Sequence, residues 1–147
     1  MKLYHAPGAC SLAVHIALRE AGLPFELAKV DLATHRLADG SDYRRVQPRG
    51  YVPLLELPDG SRHSEAAALL QYVAELDPAG KLLPPAGTRA RFETLQWVAF
   101  VATELHKVFS PWLWHKDTAE STRKAVKDKL AGRFAELDAL LQTRRHL

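Results

Sequence analysis

Cysteine is scarce in this sequence, and its scarcity limits the chemistry that the protein can perform. Cys10 is the only cysteine among 147 residues, so the chain cannot form an internal disulfide or cycle between a dithiol and a disulfide. Any disulfide exchange at Cys10 must therefore use an external thiol. Because a chain with one thiol suits a reducing compartment, we expect a cytoplasmic protein.

Long apolar runs, an excess of one charge and metal-binding patterns are also missing. No stretch approaches the roughly 18 consecutive apolar residues of a membrane span, and we expect no signal peptide. The 20 basic residues are interspersed with 17 acidic ones, which leaves no dense basic block for nucleic acid. The histidines show no metal-ligand spacing, and neither a glycine-rich phosphate loop nor a Ser-His-Asp arrangement occurs. We therefore expect no metal, membrane or nucleic acid among the partners.

The first half of the chain alternates short apolar runs with helical patterns, which predicts an α/β domain. The expected order is a right-handed βαβ unit, an irregular segment and then a ββα unit whose hairpin turns at Asp59-Gly60. The expected elements are strands at residues 3–6, 25–32, 52–57 and 62–64, and helices at residues 11–21 and 65–76. The apolar residues near helical spacing in the first helix are Leu12, Ile16, Ala17 and Ala21.

The pattern becomes purely helical after a stretch with three prolines and two glycines at residues 77–87. We predict a first domain over residues 1–77, a linker over 78–87 and a helical domain over 88–147. The helical domain is expected to hold two long helices. Pro111 ends or kinks the first, and Asp117 with Glu120 forms a capping box for the second. The predicted fold class is α/β plus all-α.

Cys10 is the first candidate for chemistry, because it lies at the junction between the first strand and the first helix. Unpaired amides of a first helical turn, together with the helix dipole, favour a thiolate at this position. A lone cysteine is, however, more often a small buried apolar residue. Position alone leaves both interpretations open.

Two further stretches of the first domain carry candidate ligand contacts. Val52-Pro53 is a candidate cis peptide at the entry of a strand, where the backbone of Val52 could pair with a bound peptide. Ser64 is a candidate N-cap and Glu65 a first-turn acid, so this helix start could hold a carboxylate and an ammonium group of one ligand. An ordinary trans proline and a stabilising acid are the structural alternatives.

These features, in this order, resemble the bacterial beta-class glutathione S-transferases. The resemblance is carried by the segments KLYHAPGACSLAVHIALREAGLPFE, VQPRGYVPLLELPDG, SEAAALLQYVAELDP and ATELHKVFSP. It implies a thioredoxin-like N-terminal domain of βαβ–ββα order, followed by a shortened all-helical C-terminal domain. It also implies glutathione as co-substrate, no other cofactor and a homodimer.

The resemblance assigns a role to each candidate residue. Cys10 matches the cysteine that faces the glutathione sulfur, and His106 matches a histidine that projects from the helical domain toward the same sulfur. The matching glutathione contacts are Val52 and Pro53 for the cysteinyl part, Ser64 and Glu65 for the γ-glutamyl part, His35 for the glycyl carboxylate, and Glu104 and Lys107 in the helical domain. On residue type alone, an isolated helical histidine is more often structural or solvated.

The chain departs from the family pattern at several positions. His35 stands where the family often has lysine. Because a histidine is only partly charged near neutral pH, we expect its binding of the glycyl carboxylate to be weaker or pH-sensitive. Ala99 replaces a common asparagine and Ala66 a usual glycine. The sequence stops about where the family continues into further helices. We therefore expect either a partner chain over the exposed apolar face or a fragment of a longer protein.

Two classes of function follow from these observations. The first is a glutathione transferase that conjugates glutathione to a small hydrophobic electrophile, exchanges it with a disulfide through Cys10, or does both. The alternative is a non-catalytic protein that binds glutathione or hydrophobic ligands, or an inactive truncated fragment.

Overall fold

The computed structural model describes residues 1–147, which form two compact units, Met1–Pro84 and Pro85–Leu147. The boundary therefore lies between two adjacent prolines. The residues before it are ordered, because the carboxylate of Asp77 accepts hydrogen bonds from the amides of Ala79, Lys81 and Leu82 at 2.9, 2.7 and 3.2 Å. Leu82 also packs against the apolar core of the first unit. This turn thus belongs to the first unit.

The first unit has a five-stranded sheet with the strand order β3-β2-β1-β4-β5. Its elements are β1 (Lys2–His5), α1 (Ser11–Glu20), β2 (Glu26–Asp31), β3 (Arg36–Leu37), β4 (Leu54–Glu56), β5 (Arg62–Ser64) and α2 (Ala66–Glu75). Strands β1 and β2 are parallel, and every other pair is antiparallel. The βαβ–ββα order confirms the thioredoxin-like prediction. The segment predicted as irregular adds the short strand β3 and a 3₁₀ turn at Tyr43–Arg45.

The sheet of the first unit buries apolar side chains on both faces. Successive strand residues point to opposite faces, so Leu3 and Leu55 join one core cluster while Tyr4 and Leu54 join the other. Helices α1 and α2 cover the first cluster with Val14, Leu18, Leu69 and Val73. The predicted apolar side of α1 was wrong for Leu12 and Ile16, which are 54% and 52% exposed. The helix is apolar on more than one side, so spacing alone could not identify the buried one.

The second unit is helical. It contains α3 (Arg89–Phe100), a π-helical segment (Val101–His106), the short α4 (Lys107–Phe109) and α5 (Glu120–Leu141). The π-helical segment interrupts the first predicted long helix. The second unit has one small buried cluster, formed by Val108, Val126 and Leu130. None of the helices combines the length and the low polarity that a membrane span requires.

The predicted capping box before α5 was wrong. The N-cap residue is Ala119, and no side chain caps the helix. The guanidinium of Arg123 instead donates to the carbonyls of Leu113, His115 and Thr118 at 3.1, 2.6 and 3.2 Å. These bonds hold the preceding loop out of the helix, so the helix begins later than Asp117 would predict.

Candidate functional site

The strand pairing brings the candidate residues of the first unit to one edge of the sheet. The parallel strands β1 and β2 both end there. Strand β3 begins there, because it is antiparallel to β2, and strand β4 begins there, because it is antiparallel to β1. Strand β5 ends there, with Ser64 opposite Leu54. The residues beyond these strand ends, at what we call the site edge, are Cys10, His35, Val52, Pro53 and Glu65, next to Ser64.

Cys10 is the N-cap residue of α1, and its thiol donates a hydrogen bond to the carbonyl of Val52 at 3.5 Å. Ser11, which is completely buried, fixes the loop that carries Cys10. Its hydroxyl accepts from the amide of Ala6 and donates to the carbonyl of Ala6, both at 3.2 Å. Sequence reasoning missed Ser11, although a serine at a helix start is a recognisable signal for a local hydrogen bond.

The amides near Cys10 are used more fully than the sequence predicted. The amide of Leu12 donates to the carbonyl of Ala9 at 3.0 Å, and the amide of Ala13 donates to the carbonyl of Cys10 at 3.2 Å. The expectation of open first-turn amides was therefore wrong for these two groups. The helix dipole still places partial positive charge at the position of Cys10.

Val52 and Pro53, which we call the clamp, lie just before strand β4. Their peptide bond is cis, as predicted. The first paired residue of β4 is Leu54, so the backbone of Val52 lies outside the strand ladder. The Val52 carbonyl accepts the bond from Cys10, and a carbonyl oxygen has a second lone pair for another donor. Cys10 and any peptide amide bound to Val52 would therefore be neighbours.

Glu65 holds a left-handed backbone conformation at the start of α2, with φ of 72°. It is the N-cap residue, so the predicted cap at Ser64 was wrong, and Ser64 instead ends β5. The Glu65 carbonyl accepts from the amides of Ala68 and Leu69, both at 3.0 Å. Its carboxylate is exposed and lies 3.5 Å from the guanidinium of Arg49. A left-handed conformation at a residue other than glycine costs about 1–3 kcal/mol and is concentrated at ligand sites.

His35 is the second residue of the site edge with a left-handed backbone, at φ of 54°. Its carbonyl accepts from the amide of Tyr43 at 2.8 Å. The ring packs against the buried Gly50, where an added Cβ would overlap Nδ1 and Cε1. Nδ1 is buried without a hydrogen-bond partner. Nε2 is therefore the ring nitrogen that a ligand carboxylate can reach.

Glu104, His106 and Lys107 lie in or next to the π-helical segment of the second unit. The Glu104 carboxylate accepts from Nη2 and Nε of Arg133 at 2.8 and 3.0 Å. These bonds are the main reason that the pKa of Glu104 lies below its ordinary range, and the charge of Lys129 is the second. Burial is the main cause of a lowered pKa of His106, and the charge of Lys107 is the second. The rings of His106 and Phe109 are nearly perpendicular, with centroids 5.3 Å apart. Segments of π-helix are frequent at functional sites. The approach of these residues to Cys10 stays a prediction.

No group of three or more His, Cys, Asp or Glu side chains is placed to hold a metal ion. The fold and the site edge define a class of protein in which a thioredoxin-like unit carries a thiol at its first helix and a helical unit follows.

Comparison with known proteins assigns the family. Residues 8–76 match the model of the glutathione S-transferase N-terminal domain. Glutathione S-transferase GstA of Escherichia coli O157:H7 is 44% identical over 97% of this chain and 70% of its own. A sphingomonad glutathione S-transferase solved with glutathione is 41% identical, with a TM-score of 0.93 over 100% of this chain and 73% of its own. A beta-class glutathione S-transferase of Sphingomonas chungbukensis is 39% identical, with a TM-score of 0.91 over 99% of this chain and 72% of its own.

The chain belongs to the glutathione S-transferase family, and the predicted resemblance to its bacterial beta-class members is confirmed. It spans about 70% of the length of these relatives.

Proposed function

We propose that the protein binds glutathione along the site edge and uses the glutathione thiol in transfer reactions. The thiol conjugates a small hydrophobic electrophile, exchanges with a disulfide through Cys10, or does both. The observation that carries the proposal is the hydrogen bond from the Cys10 thiol to the carbonyl of Val52. This bond places the only thiol of the chain beside the backbone group that a bound peptide would use.

The three parts of glutathione, γ-Glu-Cys-Gly, find matching groups along the site edge. The backbone of Val52 pairs with the cysteinyl residue, as an added strand would. The N-terminus of α2 attracts the γ-glutamyl carboxylate, and the exposed carboxylate of Glu65 attracts the ammonium group. Nε2 of His35 donates to the glycyl carboxylate. Ser64 lies between the clamp and Glu65 and contributes its hydroxyl. We propose no cofactor beyond glutathione.

Conjugation needs only the bound thiolate. The glutathione sulfur loses its proton and attacks the electrophile, so an S–C bond forms while the electron pair of the broken bond leaves with the leaving group. Because its pKa is lowered, His106 is neutral at physiological pH and can accept the thiol proton. We propose that His106 approaches the sulfur from the helical unit, with Lys107 beside it.

Exchange uses Cys10 as the nucleophile. The Cys10 thiolate attacks a disulfide that contains glutathione, so an S–S bond forms between Cys10 and glutathione and the other thiol leaves as a thiolate. A second glutathione thiolate then attacks this mixed disulfide, which releases glutathione disulfide and restores Cys10. The electrons balance without any further oxidant or reductant.

We also propose a homodimer, which is supported by exposed aromatic side chains of the helical unit at Phe92, Trp112, Trp114 and Phe134. Glu104, which would reach glutathione in the partner subunit, ranks below the other contacts because its Oε2 already accepts two hydrogen bonds from Arg133. The cytoplasmic location stays a prediction from the cysteine count.

Calorimetric titration with reduced glutathione tests the proposal, with the oligomeric state measured by light scattering on the same sample. We expect one glutathione per chain. Turnover of an electrophile and of a glutathione mixed disulfide then separates a transferase from a binding protein. Binding without turnover of either substrate above the uncatalysed rate would favour the binding protein. A well-folded chain that binds no glutathione would refute the proposal.

A further inference from the structure

Tyr43 connects two parts of the site edge that are distant in sequence. Its side chain is completely buried between the sheet and the loop that follows β3. Its hydroxyl donates to the carbonyl of Tyr51 at 2.9 Å, and Tyr51 directly precedes the clamp residue Val52. Its backbone amide donates to the carbonyl of His35 at 2.8 Å. One residue therefore contacts the segment of the predicted glycyl-binding histidine and the segment of the clamp.

The backbone around Tyr43 is itself held in place. Its carbonyl accepts from the amides of Val46 and Gln47, both at 2.9 Å, which closes the turn after it. The amide of Gly50 donates to the carbonyl of Gln47 at 2.8 Å. The ring of His35 packs against Gly50, so this loop also contacts the residue whose carbonyl accepts from the Tyr43 amide. The loop from residue 47 to the clamp is thus fastened to Tyr43 at its far end by one buried hydroxyl.

We propose that Tyr43 is a positioning residue, which fixes the Val52 backbone for glutathione through its hydrogen bond to Tyr51. This inference rests on the proposed function. Burial is the main cause of a raised pKa of Tyr43, and the neighbouring Tyr4 is the second. The hydroxyl therefore keeps its proton and remains a donor throughout the physiological pH range. Its removal leaves the Tyr51 carbonyl without this donor, and the clamp loses its fixed position relative to His35.

Tyr4 provides a matched control. It is also buried, and its ring lies 5.5 Å from that of Tyr43. Its hydroxyl donates to the carboxylate of Glu56 at 3.3 Å. Glu56 is the last residue of β4, whereas the clamp precedes the first, so this bond lies away from the site edge. Tyr43→Phe and Tyr4→Phe therefore each remove one hydroxyl from the same aromatic pair, but only the first affects the clamp.

The experiment compares glutathione binding, steady-state kinetics and thermal unfolding in the parent chain and in the two variants. We expect Tyr43→Phe to raise the Kd and KM for glutathione roughly three- to tenfold, as loss of one buried hydrogen bond implies, with kcat at saturating glutathione within about twofold. Tyr4→Phe is expected to leave Kd and KM unchanged. Hydrogen exchange of the Gly50 amide, which donates to the carbonyl of Gln47 at 2.8 Å in the same loop, is expected to accelerate in Tyr43→Phe alone.

The outcomes separate this inference from the function on which it rests. A parent chain that binds no glutathione overturns the proposed function, and the positioning role with it. A parent chain that binds glutathione, with equal Kd and equal exchange of the Gly50 amide in both variants, overturns the positioning role alone. Loss of stability in both variants with a raised Kd only in Tyr43→Phe supports it, because a purely structural role would not separate them.

Discussion

The two units of the chain differ in how they hold their apolar side chains. In the first unit, Leu3, Val14, Leu18 and Leu55 are completely inaccessible to solvent. In the second unit, the most buried side chains are each still 9% exposed, and Phe92 and Trp114 are 67% and 70% exposed. The first unit is therefore organised by a packed core. The second depends more on polar links to α5, such as the bonds of Arg133 to Glu104 in the π-helical segment and of Arg123 to the preceding loop.

This difference matters for the site. The residues at the site edge are positioned by strands whose register is fixed by burial, because a slip of one residue would turn buried side chains outward. The residues of the second unit are positioned by a π-helical segment that is tied to α5 by ion pairs. Substitutions in the first unit should therefore affect chemistry and stability more strongly than those in the second.

The largest contrast is expected between Cys10→Ser and His106→Gln in exchange with a glutathione mixed disulfide. Cys10→Ser should reduce the rate at least about a thousandfold, because it removes the nucleophile. His106→Gln should reduce it about a hundredfold, the lower end of the range for one proton-transfer group. Conjugation should survive Cys10→Ser. Equal losses from the two substitutions would contradict the assignment of the nucleophile to the first unit.

Leu55→Ala and Leu130→Ala test the difference in packing. Leu55 is fully buried in the sheet, so its truncation should cost about 3–5 kcal/mol, whereas the shallow site of Leu130 should cost about 2 kcal/mol or less. The chain offers separate probes, because every tryptophan lies in the second unit and every tyrosine in the first. Denaturant unfolding followed by tryptophan fluorescence and by tyrosine near-ultraviolet signals therefore reports the units individually. A larger loss for Leu130→Ala would reverse the comparison.

Gly50→Ala tests the contact between His35 and the loop before the clamp. The new Cβ would overlap the His35 ring, and the left-handed backbone at φ of 68° adds a cost of about 1–2 kcal/mol. Gly40→Ala is the matched control, since Gly40 has φ of 82° and nothing within 4 Å of an added Cβ. We expect both variants to lose stability, but only Gly50→Ala to weaken glutathione binding. Equal binding by both variants would show that the position of His35 is unimportant.

The sequence predicted the βαβ–ββα order of strands and helices because that order depends on local patterns. The βαβ unit follows from periodicity, and the hairpin follows from the Asp59-Gly60 turn. The strand β3 has only two residues, too few for any periodic signal. The buried side of α1 depends on which side meets the sheet, and this is a tertiary property that Leu12 and Ile16 could not reveal.

The candidate site was predictable in two local features, the position of Cys10 at a helix start and the candidate cis peptide of the clamp, whose roles toward glutathione rest on the resemblance. Tyr43 was not, because its hydroxyl meets the carbonyl of Tyr51 only after the loop between them has folded. The capping of α2 also depended on tertiary context. A serine at the end of a strand looks the same in sequence as an N-cap serine, and the left-handed backbone of Glu65 moves the cap by one residue.

The smallest expected effect concerns the ion pair between Glu104 and Arg133 in the second unit. Glu104 has a lowered pKa in the folded protein, chiefly because Arg133 donates hydrogen bonds to it. Its contribution to stability is therefore complete above pH 4.5, the ordinary pKa of a glutamate, and is lost as the pH falls through the lower folded value. Glu104→Gln should remove this acid-dependent part of the unfolding midpoint, measured by tryptophan fluorescence.

Glu136→Gln is the control for this prediction, because Glu136 also binds Arg133, at 2.7 Å, but lies on the same helix. Its removal leaves the link between the π-helical segment and α5 intact. We expect Glu104→Gln to lower the midpoint of the second unit more than Glu136→Gln, and less than Leu130→Ala, because the ion pair is partly exposed to water. If the two glutamine variants behave alike, then Arg133 acts within α5 alone. The position of His106 would in that case depend on the small core at Val108, Val126 and Leu130.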